Sequence, residues 1–303
     1  MTALQAAAAA RALPPLREIT VEEARERVRS GNRLCAAGPD LALVQDIEVR
    51  LGHAAISARR YRAQPERRDL PLMVYFHGGG WVTGDLDYSD ELCRFLTRDV
   101  PCDVVSVNYR LAPEHPFPAP LEDAFAALRQ LAADQPMRPL LVGGDSAGAA
   151  LAAGCAYRAS TEGIALAGQL LLYPVTDHDF TTGSYRTHQD GFPIGRASMQ
   201  WFWDHYARPA DRDQASPLRV ADPSGFPPTA VVVAGHDPLH DEGVAFAQRL
   251  SGAGVRVEVV EYPALVHGFL RFTAAVPAAR EALADIVRLL QRLVPATEEV
   301  THA

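Results

Sequence analysis

The sequence has no excess of basic residues to hold a polyanion. Its 29 lysine and arginine residues are outnumbered by 37 aspartate and glutamate residues, which gives a net charge of −8. Binding to nucleic acid phosphates or to an anionic membrane surface depends on clustered positive charge. We therefore expect neither nucleic acid nor a membrane as a partner.

Cysteines and long apolar runs are also scarce. The four cysteines are scattered and form no Cys-x-x-Cys pair, which argues against a disulfide framework or a cysteine-rich zinc site. No uncharged apolar run approaches the ~20 residues that a membrane-spanning helix needs. The alanine-rich residues 1–13 lack the basic start of a signal peptide, and we interpret them as a helix or a frayed arm. Together these absences predict a cytoplasmic protein.

Short apolar segments alternate along the chain with segments of helical length. Because nearly continuous apolar strands separated by helices form βαβ units, the pattern predicts an α/β fold with a mostly parallel sheet. A capping-box spacing between Thr20 and Glu23 predicts the start of the first helix. The predicted strands are 44–49, 55–63, 72–76, 104–107, 140–142, 170–173, 231–234 and 255–262, and the predicted helices are 21–30, 121–133, 147–161, 243–251 and 278–293.

One long segment interrupts this alternation. Residues 177–223 contain no strand pattern but hold two of the three tryptophans, Trp201 and Trp203. Two interpretations are open, a cap over a pocket, which the first helix could join, or a satellite helix with its own small core. Phe202 and Tyr206 of this segment, together with Trp81, are candidates for the acyl or alcohol pocket of a substrate site.

The strongest functional motif is Gly-Asp-Ser-Ala-Gly at residues 144–148. It follows a predicted strand and precedes a predicted helix, which is the context in which G-x-S-x-G presents a nucleophilic serine. The turn is so tight that the residues two positions before and after the serine must be small, and Gly144 and Gly148 meet this requirement. Ser146 is therefore the predicted nucleophile, placed at the start of a helix where developing negative charge is favoured.

A glycine-rich loop, His-Gly-Gly-Gly-Trp at residues 77–81, follows another predicted strand. Successive glycines allow backbone N–H groups to turn toward a ligand. We expect the amides of Gly78, Gly79 and Ala147 to form an oxyanion hole. A phosphate-binding loop is disfavoured because the segment has neither a lysine nor G-x-G-x-x-G spacing. His77 is expected to hold the loop rather than act as a base.

A serine nucleophile needs a base and a group that orients the base. His267 follows the last predicted strand and Asp237 follows the one before it, at the strand ends where α/β sheets build their sites. Asp241 and Glu242 are alternatives to Asp237, which is preferred because it leaves the strand directly. His236 and His240 are spaced like metal ligands on one helix face, but Pro238 disrupts that face, so we expect no metal or other cofactor.

These motifs together resemble those of the hormone-sensitive-lipase family of esterases, the bacterial type IV group within the α/β-hydrolases. The resemblance includes His-Gly-Gly-Gly-Trp, residues 109–114 (Tyr-Arg-Leu-Ala-Pro-Glu), Gly-Asp-Ser-Ala-Gly, Asp-Pro-Leu and His-Gly-Phe, and covers almost the whole chain. It implies an eight-stranded sheet flanked by helices, a helical cap and short-to-medium acyl ester substrates. It also implies Ser146 as nucleophile, Asp237 as orienter and His267 as base, with Gly78, Gly79 and Ala147 as oxyanion donors.

The resulting hypothesis is a serine carboxylesterase that acts on a small-molecule ester. Its predicted catalytic domain comprises residues 46–176 and 224–303, and its cap comprises 1–45 and 177–223. The alternatives are an amidase, lactonase or deacetylase with the same triad, or a non-catalytic small-molecule-binding protein on this scaffold. A homodimer formed through the edge strand at 255–262 is plausible.

Overall fold

The computed structural model describes residues 13–51, 54–190 and 193–294. Its centre is one eight-stranded sheet in the order β1-β2-β4-β3-β5-β6-β7-β8. The strands are β1 (Leu43–Leu51), β2 (Ala54–Arg62), β3 (Leu72–Phe76), β4 (Asp103–Val107), β5 (Leu140–Asp145), β6 (Gly168–Leu172), β7 (Thr229–His236) and β8 (Val257–Val266). β2 pairs antiparallel with β1 and β4, and the other neighbours are parallel. The predicted mostly parallel sheet is confirmed.

Helices cover both faces of this sheet because both faces of its strands are apolar. In β3, Leu72, Val74 and Phe76 join one buried cluster, while Met73 and Tyr75 join the other. A strand with alternate residues in two cores must be covered on each side. The helices are α1 (Val21–Gly31), α2 (Asp90–Asp99), α3 (Ala119–Asp134), α4 (Ala147–Glu162), α5 (Gly183–Thr187), α6 (Arg196–Tyr206), α7 (Arg212–Ala215), α8 (His240–Gly252) and α9 (Pro277–Leu293).

The main differences from the sequence-based prediction are one additional helix and the limits of β1 and β8. α2 was not predicted, because its buried Leu92, Cys93 and Leu96 are interspersed with charged residues. β1 begins at Leu43, where it pairs with Arg62, so the predicted domain boundary at residue 45 falls inside the sheet. β8 continues past Tyr262 to Val266, since a register shift between β7 and β8 allows pairing to resume at the end of the strand.

The first helix is capped and anchored as its sequence suggests. The Thr20 hydroxyl accepts a hydrogen bond from the Glu23 N–H, and the Glu23 carboxylate accepts one from the Thr20 N–H, which confirms the capping box. Arg25 ties α1 to the body of the protein through a two-pronged ion pair with Glu114. Arg25 also donates to the carbonyl of Val82, beside the glycine-rich loop.

The segment 177–223 has helices but no strand within its described residues, as predicted. Trp203 and Tyr206 of α6 are buried against Trp81. The Trp81 and Tyr206 rings stack with centroids 4.0 Å apart, and Trp203 meets Trp81 edge-on at 5.0 Å. These rings bind α6 to the loop that follows β3.

Several other expectations concern surfaces and covalent links. The four cysteines are free thiols, and three of them are buried. No helix of the described ranges combines the length and apolarity needed to cross a bilayer. β8 lies at one edge of the sheet and exposes Val259, so the homodimer through this edge stays a prediction. The expected arm at residues 1–12 and the tail after residue 294 lie outside the described residues.

The aromatic contact between α6 and the body of the protein predicts a stability difference between two tryptophans of one helix. Trp203 is fully buried and Trp201 is partly exposed. We expect Trp203→Ala to lower the free energy of unfolding by about 3–5 kcal/mol, and Trp201→Ala by about 1–2 kcal/mol. Urea denaturation followed by circular dichroism measures both, and equal losses in the two variants would contradict this account of the packing.

Candidate active site

The turn between β5 and α4 presents Ser146. This residue has φ +54° and ψ −117°, a strained conformation for a residue with a side chain. A Cβ at Gly148 would lie 2.0 Å from the Phe76 carbonyl oxygen, and one at Gly144 would lie 2.4 Å from the Gly148 carbonyl carbon. Both glycines are therefore required by the close approach of backbone to backbone, as the motif suggests.

The three residues predicted to form a triad converge although they are distant in the sequence. The Ser146 hydroxyl lies 3.0 Å from Nε2 of His267, and Nδ1 of His267 lies 2.7 Å from the Asp237 carboxylate. All three side chains are buried. Asp237 also accepts a hydrogen bond from the Leu239 N–H at 2.8 Å, which fixes the carboxylate that faces the imidazole.

The two alternative carboxylates have other partners. Asp241 accepts hydrogen bonds from the Ser184 N–H and from His240. Glu242 is fully buried, accepts a hydrogen bond from the Thr176 N–H, and has its pKa raised well above the usual range by burial. Neither contacts His267, so Asp237 is the one of these three carboxylates that lies against the imidazole.

The glycine-rich loop differs in one respect from the prediction. The N–H of Gly78 donates to the Asp145 carboxylate at 3.0 Å, so it is not available to a substrate. The following two glycines, Gly79 and Gly80, have φ values of +111° and +62° and line the same cavity as Ser146. Within the described ranges, the N–H groups of Gly79, Gly80 and Ala147 have no acceptor. The assignment of Gly78 to an oxyanion hole is therefore corrected.

The signal that could have revealed this shift lies in the nucleophile motif itself. Asp145 is buried beside Ser146, and its Oδ1 accepts hydrogen bonds from the Tyr75 hydroxyl at 2.9 Å as well as from Gly78. Burial raises the pKa of Asp145. A buried carboxyl group must find donors, and the first amide of the neighbouring loop is one of them. Gly80, which the sequence analysis left out, has an N–H group without an acceptor among the described residues.

His77 holds this loop, as expected. The imidazole is fully buried, with Nδ1 2.8 Å from the Gly78 carbonyl oxygen, and it stacks on Tyr109 at a centroid distance of 4.4 Å. The Tyr109 hydroxyl donates to the His77 carbonyl at 2.7 Å. Burial lowers the pKa of His77 to about 4, so the ring is neutral at physiological pH and acts as a packed hydrogen-bonding group.

A cavity of about 460 Å³ opens onto Ser146 and His267. Phe202 lines it and packs directly on Gly80, where an added Cβ would lie 2.1 Å from the ring. Trp81 and Tyr206 are placed elsewhere, because their rings stack on each other in the core behind the loop. Of the three predicted pocket residues, only Phe202 reaches the cavity.

The histidines with metal-ligand spacing do not form a cluster. His236 packs against His188, with ring centroids 5.7 Å apart, whereas His240 contacts Asp241 and Glu261. Across residues 13–51, 54–190 and 193–294, no three histidine, cysteine or acidic side chains are grouped so that they could hold a metal ion.

Comparison with known proteins places this site in a family. A family model described as an α/β-hydrolase fold matches residues 73–271. The chain is 41% identical over 256 residues to the carboxylic ester hydrolase LipN of Mycobacterium tuberculosis, covering 78% of this chain and 68% of that protein. It is 35% identical over 295 residues to ethyl acetate hydrolase of Pseudomonas putida, covering 92% of each.

A solved structure shows the same architecture. The ester hydrolase EH1AB1 from the metagenome of Lake Arreo, complexed with a derivative of bipyridine phosphonate, superposes with a TM-score of 0.89 at 35% identity, covering 95% of each chain. The chain therefore belongs to the hormone-sensitive-lipase-like esterases of the α/β-hydrolase fold and is a carboxylic ester hydrolase.

Proposed function

We propose that the protein hydrolyses short-to-medium acyl esters through a covalent acyl-enzyme on Ser146. The observation that carries this proposal is the buried chain of contacts from Ser146 through His267 to Asp237, at 3.0 and 2.7 Å. His267 takes the hydroxyl proton as Ser146 attacks the ester carbonyl carbon. Asp237 keeps the proton of Nδ1 in place and stabilises the imidazolium that forms.

The backbone supplies the stabilisation of the tetrahedral intermediate. We assign the oxyanion hole to the N–H groups of Gly79, Gly80 and Ala147, which lack other acceptors among the described residues. Donors that are already oriented toward developing charge lower the barrier without reorganisation. Asp145 supports this arrangement by holding Gly78, so the next two amides are positioned for the substrate.

Collapse of the intermediate completes the first half of the reaction. The imidazolium of His267 protonates the leaving alcohol as the bond between the carbonyl carbon and the alcohol oxygen breaks, which leaves an ester of Ser146. A water molecule then loses a proton to His267 and attacks this ester. Protonation of the Ser146 oxygen releases the carboxylic acid and restores the enzyme.

The cavity supports small substrates and a covering cap. Its lining combines Leu16 and Val28 from the N-terminal segment with Met199 and Phe202 of α6. We propose that the N-terminal segment and residues 177–223 form a cap that excludes water from the acyl group. A volume of about 460 Å³ suits a small ester, and the name of ethyl acetate hydrolase is consistent with such a substrate.

The free cysteines are in keeping with a cytoplasmic location, which we also propose.

The nucleophile is tested by comparing Ser146, which precedes α4, with Ser160, which lies in its last turn. We expect Ser146→Ala to lower kcat/KM for p-nitrophenyl acetate and butyrate by about 10⁴-fold or more, because no other group can form the acyl-enzyme. Ser160→Ala, an exposed change near the end of the same helix, should alter kcat/KM by no more than about twofold. A Ser146→Ala enzyme with a tenth of the native rate would overturn the mechanism.

The orienting carboxylate is tested against its nearest rival in the sequence. Asp237→Asn should lower kcat by about 10²–10⁴-fold, because the amide cannot hold the required imidazole tautomer. Asp241→Asn changes a partly exposed group that contacts Ser184 instead of His267, and it should cost about threefold at most. If the Asp241 variant lost more activity than the Asp237 variant, the assignment would be wrong.

The buried His77 predicts a loss of stability in mild acid. Its folded-state pKa of about 4 lies below the ordinary value of 6.5, so the unfolded chain binds more protons between these values. This contribution to stability is present above pH 6.5 and is lost as the pH falls toward 4. Between pH 7 and pH 5, the native protein should lose about 1–2 kcal/mol more unfolding free energy than His77→Asn. Urea denaturation at the two pH values measures the difference, and equal losses would contradict the prediction.

A further inference from the structure

The cavity beside Ser146 has a charge that the proposed reaction does not use. Its lining includes two arginines, Arg27 and Arg271, and no aspartate or glutamate among the described residues. This positive lining belongs to a protein with a net charge of −8. Since the rest of the lining is largely apolar, the two cations are the main electrostatic feature that a substrate would meet there.

Arg271 is the more deeply placed of the two arginines. It lies in the short 3₁₀ turn Phe269–Phe272, just after the catalytic His267. Its guanidinium carbon is 3.8 Å from the centroid of the Tyr88 ring, which also lines the cavity. Its Nη2 donates to the Val28 carbonyl at 3.2 Å and to the side-chain oxygen of Asn32.

The contacts of Arg271 leave it without a full counter-charge. No carboxylate within the described ranges lies close enough to form an ion pair with it, and its buried Nε has no hydrogen-bond partner. The Val28 carbonyl near the end of α1 and the face of Tyr88 offer only partial negative charge. The buried carboxyl group of Asp145 accepts its hydrogen bonds from Gly78 and Tyr75 through Oδ1, and it attracts Arg271 at longer range without forming an ion pair.

Arg25, in the same region, is an arginine whose positive charge is balanced by a carboxylate in direct contact. It also joins α1 to the body of the protein, and it also donates to backbone carbonyls. However, Arg25 has the carboxylate of Glu114 as a two-pronged partner. Arg271 is partly buried and lacks such a direct partner, and a cation withdrawn from water is stabilised when a carboxylate contacts it, so the position can accept an anion.

We propose that Arg271 receives a carboxylate of the substrate, which makes the preferred substrates esters that carry a second, free carboxylate group. This inference rests on the proposed esterase function and narrows its substrate class. The free carboxylate can belong to the acyl part, as in a monoester of a dicarboxylic acid, or to the alcohol part, as in the acetate of a hydroxy acid. Arg27 adds positive potential at the same cavity, and the apolar lining holds the connecting methylene groups.

The test compares pairs of esters that differ only in charge. The acyl-side pair is monomethyl glutarate and methyl 4-carbamoylbutanoate, and the alcohol-side pair is 4-acetoxybutanoate and 4-acetoxybutanamide. Each pair replaces a carboxylate by a neutral amide of nearly the same shape. The readout is the ratio of the two kcat/KM values, which cancels any general loss of activity. In the native enzyme we expect a ratio of about ten or more in at least one pair.

A single nearly isosteric substitution tests whether Arg271 causes the preference for the ester that carries a carboxylate. Asn32→Asp keeps the hydrogen bond to Arg271 but gives it an internal carboxylate partner. This variant should lower the ratio about tenfold, and so should Arg271→Gln. Arg29→Gln is the matched control, because it removes one positive charge from the exposed, ion-paired face of α1, and it should leave the ratio unchanged.

The outcomes separate this proposal from the esterase function on which it rests. Loss of the preference in Asn32→Asp and Arg271→Gln, but not in Arg29→Gln, supports the carboxylate site, and the responding pair identifies the side of the ester. Hydrolysis without preference in either pair, or an equal loss in the Arg29 control, overturns it while the esterase assignment stands. Failure of the native enzyme on all four esters and on p-nitrophenyl acetate would overturn both.

Discussion

The strained turn at Ser146 is the constraint on which the whole site depends. The start of α4 passes so close to the end of β3 that Gly148 lies against the Phe76 and His77 carbonyl groups. This approach brings the nucleophile and the glycine-rich loop to the same point at the carboxyl edge of the sheet. The positive φ of Ser146 is the local cost of that arrangement, and the buried surroundings of the turn hold it in place.

A second consequence of this approach is competition for backbone amides. Asp145 ends β5 inside the core, where a carboxyl group needs donors, and Gly78 is near enough to provide one. The amide closest to β3 thereby becomes structural, while those of Gly79 and Gly80 have no acceptor among the described residues. His77 and Tyr109 hold the base of the same loop through stacking and a hydrogen bond. The start of the loop is thus fixed to the core, and these two N–H groups without an acceptor, those of Gly79 and Gly80, lie in the middle of the loop.

The cavity is lined in large part by elements outside the proposed triad. The proposed triad and oxyanion donors come from the ends of strands and the turns that follow them, whereas α1 and α6, which are far apart in the sequence, contribute to the lining. Arg271 contacts both parts, because it follows His267 in the chain and donates to the end of α1. A charge at this junction can select among esters without altering the groups that break the bond.

The features that could be predicted from the sequence are those that follow local rules. The periodicity of apolar residues predicted the eight strands and most helices, and the Thr20 capping box predicted the start of α1, because these patterns depend on neighbours within one or two turns. The tight turn around Ser146 requires small residues at fixed positions, so the sequence motif also predicted Ser146 as the nucleophile. Asp237 and His267 followed from their places after strands in a sheet whose direction was already predicted.

Hydrogen bonds and packing contacts between residues distant in the sequence could not be predicted from such local patterns. The use of Gly78 by Asp145 involves two residues 67 positions apart, and no local pattern ranks one glycine of three above the next. The burial of Trp81 and Tyr206 behind the loop, while Phe202 lines the cavity, depends on how α6 packs. The same is true of the missing counter-charge at Arg271, because a hydrogen-bond or ion-pair partner is set by distance in space, which the sequence encodes only through the complete fold.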